Sequence, residues 1–263
     1  TTLFRSIRVW AISSDDYSIE TVYGVLDGEM QDNSEFISEG KAGRSRHEQM
    51  MSRINSMIEK RLDKGYLYSI EEARIKGKTN RIGLPKPMLA KKFYDCESKV
   101  VYQSSTIQYK YNGFRCLITK QNGKLIAYSR NGKIFDTIEH IFNELTLSEG
   151  ETVDGELYCH GESLQTISSW AKRKQKDSAR LQYIIYDSVS DECFNHRRNM
   201  ISLCIRDIPC SVSTAPCFHV RSRDELMELL AQAIANGYEG LMVRNNKSPY
   251  TPARSDGLLK LKS

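Results

Sequence analysis

Apolar and polar residues alternate in two short stretches near the beginning of the chain, residues 7–12 and 20–25. Such alternation, with β-branched residues, predicts strands that bury one face. Over residues 47–62 the apolar positions recur instead at helical spacing, and Gly65 suits the end of that helix. These patterns predict a small β/α unit over residues 1–66.

The pattern changes after this unit. Residues 67–84 are polar and are predicted to form a linker, whereas residues 85–263 are predicted to form a second, larger domain. Within that domain, the apolar stretches at residues 124–129 and 182–187 predict strands. Ser222 begins a capping-box sequence and predicts the start of an amphipathic helix.

Composition adds a weak indication of the partner. Residues 1–80 carry 12 basic and 13 acidic residues, and residues 81–263 carry 26 and 20, so the net charges are −1 and +6. The basic surplus of the second part favours a polyphosphate or nucleic-acid partner. No apolar run could span a membrane and no signal peptide is recognisable, so we expect a cytoplasmic monomer with no membrane partner, in the host cytoplasm if the chain is viral.

The seven cysteines are scattered and form no C-x-x-C motif. Reduced thiols are therefore expected. A zinc site built from Cys193, Cys204, Cys210 and His219 is the less favoured alternative.

Five short motifs follow one another through the second domain, and their order is more informative than any one of them. The first, residues 110–115, places a lysine beside a glycine turn and an arginine. The others are Ser-Arg-Asn-Gly at 129–132, Asp-Gly-Glu-Leu at 154–157, Glu-Gly-Leu-Met-Val-Arg at 239–244 and Leu-Lys-Leu-Lys at 259–262.

This series resembles the motifs of the covalent nucleotidyltransferases, which include ATP-dependent DNA ligases, RNA ligases and mRNA capping enzymes. Lys-Pro-Met-Leu-Ala at residues 86–90 resembles the segment that leads into the adenylation domain of ATP-dependent DNA ligases of phage type. The resemblance implies an α+β fold, an ATP-grasp-like nucleotidyltransferase domain of antiparallel sheets flanked by helices. It also leads us to expect that the chain lacks the C-terminal OB domain of such ligases.

The resemblance assigns Lys110 as the nucleophile that forms a lysine–AMP adduct. Glu239 and Glu156 are assigned to a Mg²⁺ ion, which prefers oxygen ligands, and Glu156 also to the ribose. The expected cofactors are thus ATP and Mg²⁺, and the expected partner is nicked double-stranded DNA. The remaining nucleotide-binding residues are expected to be Gln108, Arg115, Arg130, Glu156, Tyr186, Arg254, Lys260 and Lys262.

Two alternatives stay open. One is another activity of the same superfamily, an RNA ligase or a guanylyltransferase. The other is a catalytically silent protein that binds nicks or ends, since Asn112 stands where the family usually has Asp. Asp154 is interpreted as a residue that shapes a turn.

Two further regions are candidates for DNA contacts. Residues 1–66 loosely resemble a WGR-like module, and Lys41, Arg44 and Arg46 are its candidate phosphate-binding residues. A packing domain without a ligand is the alternative. The basic run at residues 170–180 is interpreted either as a track for the DNA backbone or as a solvated loop.

Overall fold

The structure is a computed structural model that describes residues 7–40, 42–70, 79–80, 82–206 and 209–262. The chain divides into two compact units, Thr1–Gly77 and Lys78–Ser263. The linker predicted over residues 67–84 lies partly outside the described residues, and Lys41 lies wholly outside them.

Within residues 7–40 and 42–69, the first unit contains a three-stranded antiparallel sheet in the order β1-β2-β3 and one helix. Its strands are β1 (Arg8–Ser14), β2 (Ser18–Val25) and β3 (Met30–Phe36), and its helix is α1 (Arg46–Asp63). The alternating pattern had predicted β1 and β2. It did not predict β3, because that strand is polar and almost entirely exposed.

Helix α1 begins and ends as its sequence requires. The Ser45 hydroxyl accepts a hydrogen bond from the Glu48 amide, and the Glu48 side chain accepts one from the Ser45 amide, which completes a capping box. Gly65, at a φ of +90°, follows the C-terminal end. An Arg53–Glu35 ion pair of 2.8 Å ties the helix to β3.

The second unit contains two sheets. The six-stranded sheet has the order β11-β10-β9-β6-β7-β8 and the four-stranded sheet the order β4-β13-β12-β5. Their bounds are β4 (Leu89–Lys92), β5 (Ser105–Lys110), β6 (Phe114–Gln121), β7 (Lys124–Tyr128), β8 (Ile134–Phe135), β9 (Thr152–Tyr158), β10 (Gln182–Ser188), β11 (Val212–Thr214), β12 (Gly240–Asn245) and β13 (Arg254–Leu261).

Most neighbouring strands of these sheets are antiparallel, as expected for the family fold. Two pairs are parallel, and each joins an edge strand to its neighbour: β11 runs parallel to β10, and β4 runs parallel to β13. The segment that leads into the domain therefore pairs with the last strand of the described chain.

Helices cover one side of each sheet. They are α2 (Glu139–Phe142), α3 (Leu164–Lys172), α4 (Phe194–Ile201) and α5 (Arg223–Ala235), with short 3-10 turns at Glu97–Lys99, Tyr102–Ser104, Lys176–Arg180 and Ser202–Cys204. Ser222 caps α5 as predicted, but the Glu225 carboxylate accepts from the Arg221 amide. No helix in the described ranges is long and apolar enough to cross a membrane.

The buried side chains form two main cores in the second unit. In one, strand residues such as Ile118 and Tyr183 pack with Ile167 of α3. In the other, Leu241 and Val243 of β12 pack with residues of α5, namely Leu226, Leu230 and Ala233. Since strand residues alternate between faces, the neighbours of these core residues point to the opposite side of each sheet.

Candidate active site

Three neighbouring strands place residues of the candidate site side by side. Gln108 of β5 lies opposite Met242 of β12, which lies opposite Lys260 of β13. Lys110, two residues beyond Gln108, lies opposite Gly240. Gly240 has a φ of +147°, and a Cβ there would meet the Leu261 carbonyl oxygen at 2.2 Å, so the backbone beside Lys110 requires glycine.

These residues line a cleft of about 300 Å³, to which the six-stranded sheet contributes Arg115, Glu156 and Tyr186. Pockets of this size bind small ligands. Eight of the residues assigned by resemblance line the cleft together: Gln108, Lys110, Arg115, Arg130, Glu156, Tyr186, Arg254 and Lys260.

Lys110 and Lys262 share one carboxylate. The Lys110 Nζ atom contacts one oxygen of Glu239, and the Lys262 Nζ atom contacts the other. Partial burial acts to raise the pKa of Glu239. The hydrogen bonds from the two ammonium groups outweigh it and hold that pKa below its ordinary value of 4.5.

Asp154 has a different role from the turn-shaping role expected of it. Its carboxylate is buried and accepts a hydrogen bond from Arg115 Nε at 3.0 Å and one from Tyr250 Oη at 2.6 Å. Asp154 thus fixes the guanidinium of Arg115 beside the cleft. No local sequence pattern predicts this role, because the partners lie 39 and 96 positions away.

Glu156 is the acid of the six-stranded sheet that faces the cleft. Burial raises its pKa from 4.5 to about 7, against the opposing effects of Arg115, Lys110 and the hydrogen bond from Tyr186. The Tyr186 hydroxyl donates to Glu156 Oε2 at 3.3 Å. A Cβ at Gly113 would meet Glu156 Cγ at 2.6 Å, so this glycine makes room for Glu156.

Cations gather at the other side of the cleft. Partial burial lowers the pKa of Arg130, and the positive charges of Arg115 and Arg254 lower it further. Arg254 donates a hydrogen bond to the Ala90 carbonyl at 2.8 Å. Several positive charges that repel one another in one place suit a ligand with several negative charges.

Met242 and Arg244 are among the cleft residues that the sequence reasoning missed. Both belong to the motif at residues 239–244, where only Glu239 had been singled out. The signal that could have found them is the alternation in β12: Leu241 and Val243 are core residues, so Met242 and Arg244 must face the other side.

The two acids assigned to a metal do not form a multi-ligand cage. Across the described ranges, no group of three or more His, Cys, Asp or Glu side chains could hold a metal ion. Both Glu239 oxygens contact lysines, and Glu156 accepts from Tyr186. All seven cysteines are unpaired in the structure.

Solved structures of DNA ligases share this fold. A Lig E DNA ligase matches with a TM-score of 0.59 at 24% identity, over 68% of this chain and 69% of that one. The Chlorella virus DNA ligase–adenylate matches with a TM-score of 0.54 at 25% identity, over 67% of each chain. The bacteriophage T7 ATP-dependent DNA ligase in complex with ATP matches with a TM-score of 0.53 at 20% identity, over 67% of this chain and 68% of that one.

The family model of the ATP-dependent DNA ligase domain matches residues 87–262, and the chain belongs to that family. Among curated proteins, a DNA ligase of African swine fever virus (isolate Pretoriuskop) is 33% identical over 203 residues, which are 70% of this chain and 48% of that protein. The ligase of the Warthog/Namibia isolate is 31% identical over 214 residues, 74% of this chain and 51% of that protein. The chain thus spans about half the length of these relatives.

Proposed function

We propose that this chain is the nucleotidyltransferase part of an ATP-dependent DNA ligase that acts on nicked double-stranded DNA. The observation that carries the proposal is Lys110, whose amine lies at the edge of the cleft in contact with Glu239. Family membership supplies the expected chemistry, and the arrangement of acids and cations around Lys110 supports each step.

In the first step, Lys110 Nζ attacks the α-phosphorus of ATP. An N–P bond forms, the bond from that phosphorus to the pyrophosphate oxygen breaks, and Nζ loses protons. The amine loses one proton to solvent before it attacks, and Glu239, which contacts it, can accept the second as the N–P bond forms. The products are a lysine–AMP phosphoramidate and pyrophosphate.

The base and ribose of ATP have matching surfaces in the cleft. Tyr186 offers an aromatic ring and Met242 an apolar side chain, and both line the cleft. Gln108 offers a polar edge for the purine. Glu156 is the acid available to the ribose hydroxyl groups, where hydrogen bonds from those hydroxyls would replace the solvation that burial removes.

The phosphates of ATP fit the cations. Lys260, Arg254 and Arg130 line the cleft and can neutralise a triphosphate. Lys262, whose side chain is 46% exposed, pairs with Glu239. A triphosphate competes with Glu239 for this lysine, so nucleotide binding would release one oxygen of the carboxylate.

Glu239 and Glu156 fit Mg²⁺ if substrate phosphates supply the other ligands. Mg²⁺ is commonly bound through one or two carboxylates together with substrate phosphates and water. Glu239, with Glu156 as the second acid, would supply the protein ligands once the lysines turn to the phosphates. When bound, the ion neutralises phosphate charge and so favours the departure of pyrophosphate.

In the second and third steps, AMP passes to the 5′-phosphate of a nick, and the 3′-hydroxyl then displaces it. Arg130 and Arg115 are the guanidinium groups at the cleft for that phosphate. The basic run at the end of α3 is exposed at Lys172, Arg173 and Lys174, which suits contacts with a DNA backbone.

A catalytically silent protein is less well supported. The Asn112 side chain is exposed, so an amide at this position leaves no buried group without its partner. Lys110, Glu156, Glu239 and Lys260 are all retained around the cleft. A guanylyltransferase would use the same lysine chemistry, and the choice of nucleotide separates the two enzymes.

The test is a labelling experiment with α-labelled ATP and, separately, GTP in the presence of Mg²⁺. The protein should gain one AMP, and the adduct should resist base and break in acid, as a phosphoramidate does. Lys110→Ala should form no adduct, whereas Lys124→Ala, which removes an exposed lysine of β7, should label like the wild type. An adduct on Lys110→Ala would refute the assignment, and labelling by GTP alone would favour the guanylyltransferase.

For the first unit we propose a contribution to DNA binding. Arg44 is exposed, and the guanidinium of Arg46 lies 4.1 Å from the centre of the Tyr17 ring. Phosphate contacts release counterions, so affinity for nicked duplex should fall steeply with salt. Replacing Arg44 and Arg46 together by Gln should lower the affinity and flatten the salt dependence. Unchanged binding would assign this unit to packing.

A further inference from the structure

The amide of Gln108 is held from two sides. Arg244 Nε donates a hydrogen bond to Gln108 Oε1 at 2.6 Å, and Gln108 Nε2 donates to the Tyr186 carbonyl oxygen at 3.3 Å. Gln108 is buried, yet it lines the cleft together with Arg244 and Tyr186.

The chemistry of these partners fixes which way the amide points. A guanidinium has donors and no acceptor, and a backbone carbonyl has an acceptor and no donor. Turning the amide by 180° would place the NH₂ group against Arg244 Nε–H and the oxygen against the Tyr186 carbonyl. Both hydrogen bonds would be lost and replaced by repulsive contacts, so a single orientation is stable.

Arg244 is itself immobilised. Asp187, fully buried, accepts hydrogen bonds from Arg244 Nη1 at 2.5 Å and from Arg197 Nε at 2.7 Å. Arg197, also buried, donates to the carbonyl oxygens of Glu192 and Ser248. The network therefore runs from two loops through Asp187 to the amide that faces the cleft.

We propose that Arg244 is a specificity-determining residue that locks the Gln108 amide so that its oxygen serves as an acceptor toward the purine. This inference rests on the proposed function, in which the cleft binds ATP. The 6-amino group of adenine donates hydrogen bonds, whereas the 6-oxo group of guanine accepts them. The second lone pair of Gln108 Oε1 can accept from adenine and repels guanine.

The experiment compares adduct formation and equilibrium binding with ATP and GTP for four proteins: the wild type, Arg244→Met, Gln108→Glu and the double variant. In Arg244→Met the amide can turn and offer its NH₂ group to guanine. The ATP-over-GTP ratio should therefore fall by about tenfold, the scale of one hydrogen bond gained or lost. An additional variant, Arg244→Lys, keeps a donor and should restore most of the ratio.

The double variant separates positioning from direct contact. A carboxylate has two acceptor oxygens, so turning it changes nothing. Gln108→Glu and the double variant should both keep the ATP preference at alkaline pH, where the introduced carboxyl is ionised. If Arg244 contacted the base itself, the double variant would lose as much preference as Arg244→Met, and the proposal would be overturned.

Folding and the proposed function are checked separately. Arg244→Met leaves Asp187 paired with Arg197, so a cooperative unfolding transition should remain. If the wild type forms no adduct, the proposed function fails, but the binding ratios of the four proteins still test the lock. A wild type that binds ATP and GTP equally, or neither of them, refutes the lock.

Discussion

Glu239 and Asp154 both hold cations beside the cleft, but their surroundings differ. Glu239 has a side chain that is 25% exposed and lies between two lysines, whereas Asp154 is 1% exposed and holds Arg115. Water and substrate can reach the first pair and compete for it. In the second pair Asp154 is closed off from water although Arg115 is 22% exposed, so removing Asp154 leaves a largely buried cation without its partner. The comparison teaches that one carboxylate is placed to exchange partners and the other to keep them.

The largest effect is expected from Asp154→Ala. Removing this carboxylate leaves Arg115 without its buried partner, and such changes cost about 3–5 kcal/mol of unfolding free energy. The measurement is chemical denaturation in a Trp10→Phe background, where Trp170 fluorescence reports on the second unit.

Asp256→Ala is the matched control for that change. Asp256 also pairs with two cations, Lys91 and Lys99, but its side chain is 37% exposed. An exposed pair contributes roughly 0–1 kcal/mol. Equal losses of unfolding free energy for Asp154→Ala and Asp256→Ala would show that burial of the acid makes no difference to the stability its ion pairs contribute.

The next effect in size concerns Glu239→Ala. If this acid exchanges partners during the reaction, its loss should slow lysine–AMP formation by about 10²–10³-fold, the usual effect of one electrostatic group at a reacting centre. Its unfolding free energy should change little, because the pair is partly solvated. Single-turnover labelling and denaturation measure the two quantities.

A matched carboxylate lies outside the cleft. Glu162 is 28% exposed and pairs with Arg180, so Glu162→Ala removes a comparable ion pair. This variant should label at the wild-type rate. If Glu239→Ala forms the adduct as fast as Glu162→Ala does, Glu239 has no role in the reaction and is only a surface acid.

The third effect is a pH dependence due to Glu156. Its pKa is about 7 in the folded protein and 4.5 when unperturbed, so the folded state binds this proton more tightly. Stability should therefore fall as the pH rises through that window. Glu156→Gln cannot ionise, and its stability relative to the wild type should increase across the same window. Denaturation on both sides of the window measures this.

The control for this pH effect is Glu228→Gln, which changes an exposed acid of α5. It should leave the pH dependence as in the wild type. If Glu156→Gln and the wild type keep a constant difference at all pH values, burial does not raise the pKa of Glu156.

The sequence predicted the strands and helices that depend on patterns among neighbouring residues. β1, β2, β7 and β10 alternate or are strongly apolar, and α1 and α5 carry caps, so their positions followed from local rules. β3 did not follow, because a polar strand is held by its neighbour and not by burial. The directions of β4 and β11 also required the three-dimensional structure, since pairing between distant strands leaves no local pattern.

The candidate site shows the same difference between local sequence patterns and contacts of distant residues. The motif series singled out Lys110 and the cleft cations, and the structure brings them into one region. The partners of Asp154 and the lock on Gln108 join residues that are far apart in the chain. A burial-driven pKa such as that of Glu156 likewise depends on packing that no motif expresses.

The position of β13 has a consequence for how the chain is made. β13 lies between β4 and β12, so β4 finds its partner only when residues 254–261 have left the ribosome. At ordinary rates of translation, β4 then remains unpaired for roughly 10–30 s after its own synthesis. During that time its backbone groups are open to chaperones or to other chains. Since Lys260 lies on β13 and lines the cleft, the cleft is completed in the same event that closes the sheet.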